Sequence, residues 1–173
     1  INDMLDLSKL EAWKTEFNPV EIDVRSFIMD IYGDFVHQLK SEEKTLLVNI
    51  PDEKIIIEYD LDQLKRVMIN LLWNSRKFVD PWKWEIELKV EYVGKKQLLF
   101  TVKDNWQWID KDDINNVFVK FKQVWWHMER ASKWTWIWLS LVKSILEQMW
   151  SQIWVTSSVW VGSEFSFKLN IKK

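Results

Sequence analysis

Asn70, Asn74 and Lys77 are spaced by four and three residues, with Arg66 one turn earlier. On a helix they form one polar stripe. Two carboxamides and an ammonium on one face suit a divalent cation bridged to phosphate, because amide oxygens coordinate a hard cation and lysine neutralises phosphate oxygens. A solvated helix face carries the same residue types, so the stripe alone does not decide. Asp104 is a second candidate, at the end of an apolar run. A carboxylate there accepts a hydrogen bond from an exocyclic amine such as adenine's, or caps the turn that follows. Asp110, Asp112 and Asp113 read as the N-terminus of a helix and lack the spacing of a calcium loop. His37 and His127 are far apart and read as structural or surface residues. Nothing pairs with Glu11 or Glu16 to make a general base, so no catalytic side chain is assigned.

The stripe lies in the clearest helix, residues 61–78, where Leu61, Leu64, Met68, Leu71 and Leu72 repeat at helical spacing. Asp104 follows a strand over Gln97–Lys103, joined through Val93–Lys96 to another over Glu85–Tyr92. There Ile86, Leu88, Val90 and Tyr92 alternate with Glu85, Glu87, Lys89 and Glu91, which gives one buried face. Further helices are expected over 25–40, 136–149 and, briefly, 111–118. Further strands are expected over Val20–Val24, Thr45–Ile50, Ile55–Glu58, Gln152–Ser157 and Glu164–Ile171. Residues 119–134 have no period and read as a loop. The opening, with Ile1, Leu5, Leu7 and Leu10, reads as the tail of an amphipathic helix ended by Asn18-Pro19. Helices interspersed with hairpin-type strands predict an α+β fold: a two-layer α/β sandwich, its mixed and largely antiparallel sheet carrying helices on one face.

A chain of 173 residues, 47% of them apolar, suits one domain. A net charge of −2 gives no support for a nucleic-acid or anionic-membrane binder. The absence of cysteine excludes disulfides, Cys-ligated zinc, iron–sulfur clusters and thiol nucleophiles. No apolar run reaches the ~18 residues of a membrane span. The expectation is a soluble domain of a reducing compartment.

Four boxes follow one another in the chain: Asn70-Leu71-Leu72-Trp73-Asn74-Ser75-Arg76-Lys77-Phe78; Asp104-x-Trp106-x-Trp108-Ile109; Phe118 and Phe121; and Trp134-Thr135-Trp136-Ile137-Trp138-Leu139-Ser140-Leu141-Val142. In this order they resemble the ATP-binding catalytic domain of sensor histidine kinases, within the wider group of gyrase-type and heat-shock-type ATPases. Gly162-Ser163-Glu164-Phe165 is similar to that family's closing strand. Asp6-Leu7-Ser8-Lys9-Leu10-Glu11 looks like the end of its second dimerisation helix, a lead-in that chaperone- and gyrase-type ATPases lack. The resemblance implies residues 1–16 as that helix end and linker, and 17–173 as the catalytic domain. It implies Asn74 as the Mg²⁺ ligand with Asn70 on the same face, Lys77 on phosphate, Phe78 near the base, and Asp104 with Ser163 at the adenine amine. Trp106, Trp108, Ile109, Trp134, Thr135, Trp136, Ile137, Trp138 and Leu139 then line the ATP or ADP, and 119–134 forms a lid. The implied partners are a dimerisation domain whose phosphoacceptor histidine lies before residue 1, and a response regulator. The implied location is the cytoplasm, and this fragment is expected to be a monomer.

One departure is systematic. The chain has 14 tryptophans and 3 glycines, against an average glycine usage of about 7%. Tryptophan stands at the motif glycine positions 106, 108, 134, 136 and 138, and is expected in glycine's place at 13, 82, 84, 125, 126, 150 and 160. Trp73 and Trp154 occupy variable positions. Motif glycines supply positive φ or close approach of backbone N–H groups to phosphate, and tryptophan supplies neither. ATP binding by this sequence is therefore expected to be impaired. Three explanations remain open: glycine recoded as tryptophan, by design or artefact; a non-catalytic, pseudokinase-type domain of the same fold; or an aromatic pocket for another flat ligand.

Overall fold

The computed structural model describes residues 17–40, 45–77, 85–105, 109, 114, 116–119, 134–158 and 161–172. In chain order the elements are β1 (Val20–Asp23), α1 (Val24–Lys40), β2 (Thr45–Asn49), β3 (Ile56–Tyr59), α2 (Leu61–Lys77), β4 (Glu85–Val93), β5 (Gln97–Asp104), α3 (Trp134–Gln148), β6 (Ile153–Ser158) and β7 (Gly162–Asn170). The main sheet has the order β2-β4-β5-β7-β6. Its β2–β4 pair is parallel and the other pairs are antiparallel. The three helices share one apolar core with the sheet face that carries Ile86, Leu88, Val90, Phe100, Val102, Phe165 and Phe167. The two-layer α+β architecture is as expected.

Local chemistry sets the helix ends. Asp60 caps α2: its Oδ1 accepts from the Gln63 amide at 3.0 Å, while Oδ2 accepts from the Asn18 amide at 3.0 Å. Asp23 caps α1 through the Ser26 amide. At the far end of α3, the Ser151 amide donates to Leu146 O and the Trp150 amide to Glu147 O. This is a Schellman closure with Trp150 at the left-handed position. Its φ is 56°, and it is the non-glycine residue with positive φ among those described.

Several boundaries differ from the sequence reading. β1 and β3 form a separate two-stranded sheet, with Val20 opposite Tyr59, instead of joining the main one. Val24 already opens α1, because the Asp23 cap sets the start. Tyr92 shares the parity of the buried residues of β4 yet is 43% exposed: its partner Leu98 is buried, but β2 pairs with β4 only from Glu85 to Lys89, so Tyr92 stands on an uncovered edge. Asp104 is the last residue of β5, and β7 begins at Gly162, so the registered ladder reaches further than the apolar alternation. α3 starts at Trp134, inside the segment read as a loop; tryptophan is a better helix former than glycine. Of the short helix expected over 111–118, Ile114 is helical and 116–118 form a turn. The remainder lies outside the described residues, as do residues 1–16, Phe78, 78–84 and 120–133.

Candidate functional site

β5 delivers Asp104 to one end of the sheet, in a row that crosses four strands. Ile86 of β4, Asp104 of β5, Ser163 of β7 and Ser157 of β6 stand opposite one another in successive registers. Residues opposite each other share a sheet face. Ile86 is fully buried on the core face, so Asp104, Ser163 and Ser157 point to the helix layer. Asp104 is 6% exposed and Ser163 5%. The Ser163 amide donates to Asp104 Oδ1 at 3.2 Å. Gly162 makes this approach possible. Its φ is +112°, and a side chain there would overlap the carbonyl oxygen of Asp104.

α2, in that helix layer, packs on β4, β5 and α3. Its apolar stripe of Leu64, Met68, Leu71 and Leu72 is buried, and Asn70 and Asn74 are half-buried beside it. The Asn74 Oδ1 atom is buried with no hydrogen-bond partner, and so is Ser75 Oγ. A buried, unpartnered carbonyl oxygen costs about 1–3 kcal/mol. It is also the donor a hard cation takes, so Asn74 fits Mg²⁺. The buried carboxylate of Asp104 fits an amine of a base. The side chain of Lys77 lies outside the described residues.

Ile109 is buried, and its amide donates to Ser157 Oγ at 2.7 Å. Ser157 also donates to Gly162 O at 3.0 Å and lies 3.1 Å from Ser163 Oγ. Phe118 meets Phe165 edge-on, with ring centroids 6.3 Å apart. Leu139 is buried, and Trp138 is half-buried against the core. Trp106, Trp108 and Phe121 lie outside the described residues, as do the side chains of Trp134, Thr135, Trp136 and Ile137. The structure thus puts Asp104 and Ser163 in direct contact, ties Ile109 to the same row, and sets Asn70 and Asn74 on the helix packed over that sheet face. Ser157 and Gly162 were not singled out as site residues by sequence. The signal for Gly162 is that it is one of only 3 glycines in the chain.

A cavity of about 430 Å³ lies elsewhere, lined by Glu21, Lys54, Ile55, Ile56, Tyr92, Ile171 and Lys172. There Lys172 bridges Glu21 and Glu58. The Glu21 carboxyl is held below its ordinary value, first by the hydrogen bond from Lys172. The Lys172 ammonium is raised, first by Glu21 and then by Glu58.

A family model described as histidine kinase-, DNA gyrase B- and HSP90-like ATPase matches residues 59–173, which hold α2, Asp104 and α3. The chain belongs to this ATPase family. The family resemblance drawn from the four boxes is thereby borne out. The sensor histidine kinase WalK of Bacillus subtilis (strain 168) is 27% identical over 174 residues, spanning 100% of this chain and 28% of WalK. This chain therefore spans little more than a quarter of that relative's length. Among solved structures, the catalytic domain of histidine kinase ThkA superposes with a TM-score of 0.76 at 19% identity, covering 88% of this chain and 97% of that one. Full-length ShkA in complex with AMPPNP gives a TM-score of 0.81 at 17% identity, over 99% of this chain and 35% of that one. ThkA has also been solved in complex with the response regulator protein TrrA, with a TM-score of 0.76 at 18% identity over 99% of this chain and 49% of that one. These likenesses establish the fold. Among the described residues no helix is long and apolar enough to cross a membrane.

Proposed function

We propose that this chain is the ATP-binding catalytic domain of a two-component sensor histidine kinase, with residues 1–16 as the dimerisation-helix end and linker and 17–173 as the domain. The observation that carries the reading is the buried, unpartnered Oδ1 of Asn74 inside the ATPase-matched region. Transfer of a γ-phosphoryl group needs positioning and charge neutralisation more than a protein nucleophile. Magnesium, when bound, supplies that neutralisation at the phosphates. Asn74 offers its Oδ1 to the cation, Asn70 extends the same polar stripe, and Lys77 balances phosphate charge. Asp104 accepts a hydrogen bond from the exocyclic amine of adenine, and the Ser163 amide fixes its carboxylate. Ile109, Thr135, Ile137, Leu139 and Phe78 enclose the nucleotide.

The acceptor is a histidine on a dimerisation helix, and the next partner is a response regulator, the class of protein found on ThkA. The domain works in the cytoplasm, and this fragment is a monomer. Trp106, Trp108, Trp134, Trp136 and Trp138 withhold the glycine backbone that brings N–H groups close to phosphate, so the sequence binds weakly.

The test is a titration of ATP and ADP with Mg²⁺ into this chain and into a variant carrying Trp106→Gly, Trp108→Gly, Trp134→Gly, Trp136→Gly and Trp138→Gly. Affinity is expected to appear in the variant and to vanish on adding Asn74→Ala or Asp104→Ala. A glycine-restored chain that binds neither nucleotide refutes the assignment.

A further inference from the structure

The head of α2 is tied to the chain that enters the domain, and one side chain makes the tie. Asp60 is 8% exposed. Its carbonyl oxygen accepts from the Leu64 amide at 2.9 Å, which starts the helix, and its Oδ1 accepts from the Gln63 amide at 3.0 Å, which caps it. Capping needs one carboxylate oxygen. The other, Oδ2, accepts from the Asn18 amide at 3.0 Å, 42 residues back in the chain.

The entry is stiff where it is held. Pro19 fixes its own φ and confines Asn18 to extended backbone. Val20, next along, is registered opposite Tyr59, the residue before Asp60. Tyr59 is itself held, its hydroxyl accepting from the Asn170 amide at 3.0 Å. Asn18 and Val20 are thus fastened to Asp60 and Tyr59 with only a proline between the two fastenings. From there α2 runs unbroken from Leu61 to Lys77. Leu64, Met68, Leu71 and Leu72 along it are fully buried, so it moves as one body. Asn74 lies about 21 Å beyond Asp60 at the helical rise per residue.

We propose that Asp60 is a positioning residue for the reaction: its second carboxylate oxygen couples the chain entering the domain to the helix that carries Asn70 and Asn74. The inference rests on the nucleotide reading above, which puts the acceptor histidine upstream of this entry. A cap alone holds α2 with one oxygen. The second oxygen gives residues 17–20 a fixed bearing on the cation-holding face. Coupling between two sites is reciprocal, so it is readable from the nucleotide back to the entry.

Asp60→Asn separates the two duties. Asparagine caps as well as aspartate does, so its oxygen keeps the Gln63 amide, while the NH2 that replaces Oδ2 meets the Asn18 N–H donor to donor. Asn18→Pro removes the same bond from the other side by deleting the amide. In the chain as it stands, hydrogen exchange is followed at both amides. Asp60→Asn is expected to speed exchange at Asn18 by about tenfold, the size of one hydrogen bond, and to leave Gln63 protected. In the glycine-restored chain, ¹⁵N spectra are recorded with and without ADP and Mg²⁺. The Phe17 amide, outside the joint and remote from Asn74, is expected to shift on nucleotide addition in the parent and to stop responding in Asp60→Asn and in Asn18→Pro. If Asp60→Asn also exposes Gln63, Asn18→Pro decides by the same Phe17 signal. A purely structural cap lets Phe17 respond alike in all three proteins; that result, or Asn18 exchange unchanged by Asp60→Asn, overturns the inference. A parent that binds no nucleotide refutes the underlying function and this coupling with it. A parent that binds ADP with no response at Phe17 refutes only the coupling.

Discussion

Replacing Trp150 by glycine should stabilise the protein, although it deletes the largest side chain type. Trp150 closes α3 at φ 56°, a conformation that costs a bulky residue about 1–2 kcal/mol. Its side chain is 95% exposed, so truncation gives up almost no burial. Glycine's greater freedom in the unfolded chain takes back roughly 0.4–1 kcal/mol. The net gain is about 0.5–1 kcal/mol, or a rise in Tm of roughly 1–4 °C for a domain of this size. Urea unfolding followed by circular dichroism would show a higher midpoint at constant slope. Two controls isolate the backbone. Trp150→Ala keeps the strained φ and should gain nothing. Trp154→Gly should destabilise by about 0.5–1 kcal/mol or more, because Trp154 lies within β6 under the Lys168 ammonium, 5.5 Å from its ring centroid. If alanine at 150 stabilises as much as glycine does, the gain comes from removing an exposed indole, and the left-handed strain argument fails.

Three further outcomes follow from the geometry. Asn74→Leu removes a buried unpartnered oxygen, so it should raise stability by about 1 kcal/mol in urea unfolding while the glycine-restored chain loses Mg²⁺-dependent nucleotide affinity; a loss of stability contradicts the orphaned oxygen. Gly162→Ala forces a side chain onto Asp104 O at φ +112° and should cost at least about 2 kcal/mol, read as a Tm drop of roughly 4 °C or more. Lys172→Met should flatten the pH dependence of Tm on both sides. The lowered Glu21 contributes stability above its ordinary value that is lost as pH falls through its folded value, and the raised Lys172 contributes stability below its ordinary value that is lost as pH rises through its folded one. Unchanged limbs would show that the bridge to Glu21 and Glu58 is absent in solution.

What could be read in the sequence was what periodicity and chain order carry. The helix bearing Asn70 and Asn74 was legible because its leucines repeat at helical spacing. The main strands were legible because charged and apolar residues alternate. Asp104 stood out because a lone acid ends an apolar run. The β1–β3 sheet was not legible: each strand has four residues, too few to show a period, and their pairing spans α1 and β2. Ser157 was not legible either. Serine is common, and its significance lies in a register across β6 and β7 that no local spacing records. The tryptophans were legible as an anomaly, and the backbone gives it a physical form at Trp150, which occupies a position made for glycine. Trp73, at a position read as variable, meets Phe35 edge-on with ring centroids 5.3 Å apart.

The central claim is that Asn74 and the Asp104–Ser163 pair face one nucleotide. The most direct measurement is a two-dimensional ¹⁵N spectrum of the glycine-restored chain during titration with ADP, with and without Mg²⁺. The account predicts that the Ser163 amide shifts with ADP alone, that the Asn74 side-chain carboxamide shifts only when Mg²⁺ is also present, and that both saturate at one affinity. Shifts confined to the cavity around Tyr92 and Lys172, or Asn74 and Ser163 responding with different affinities, would contradict it.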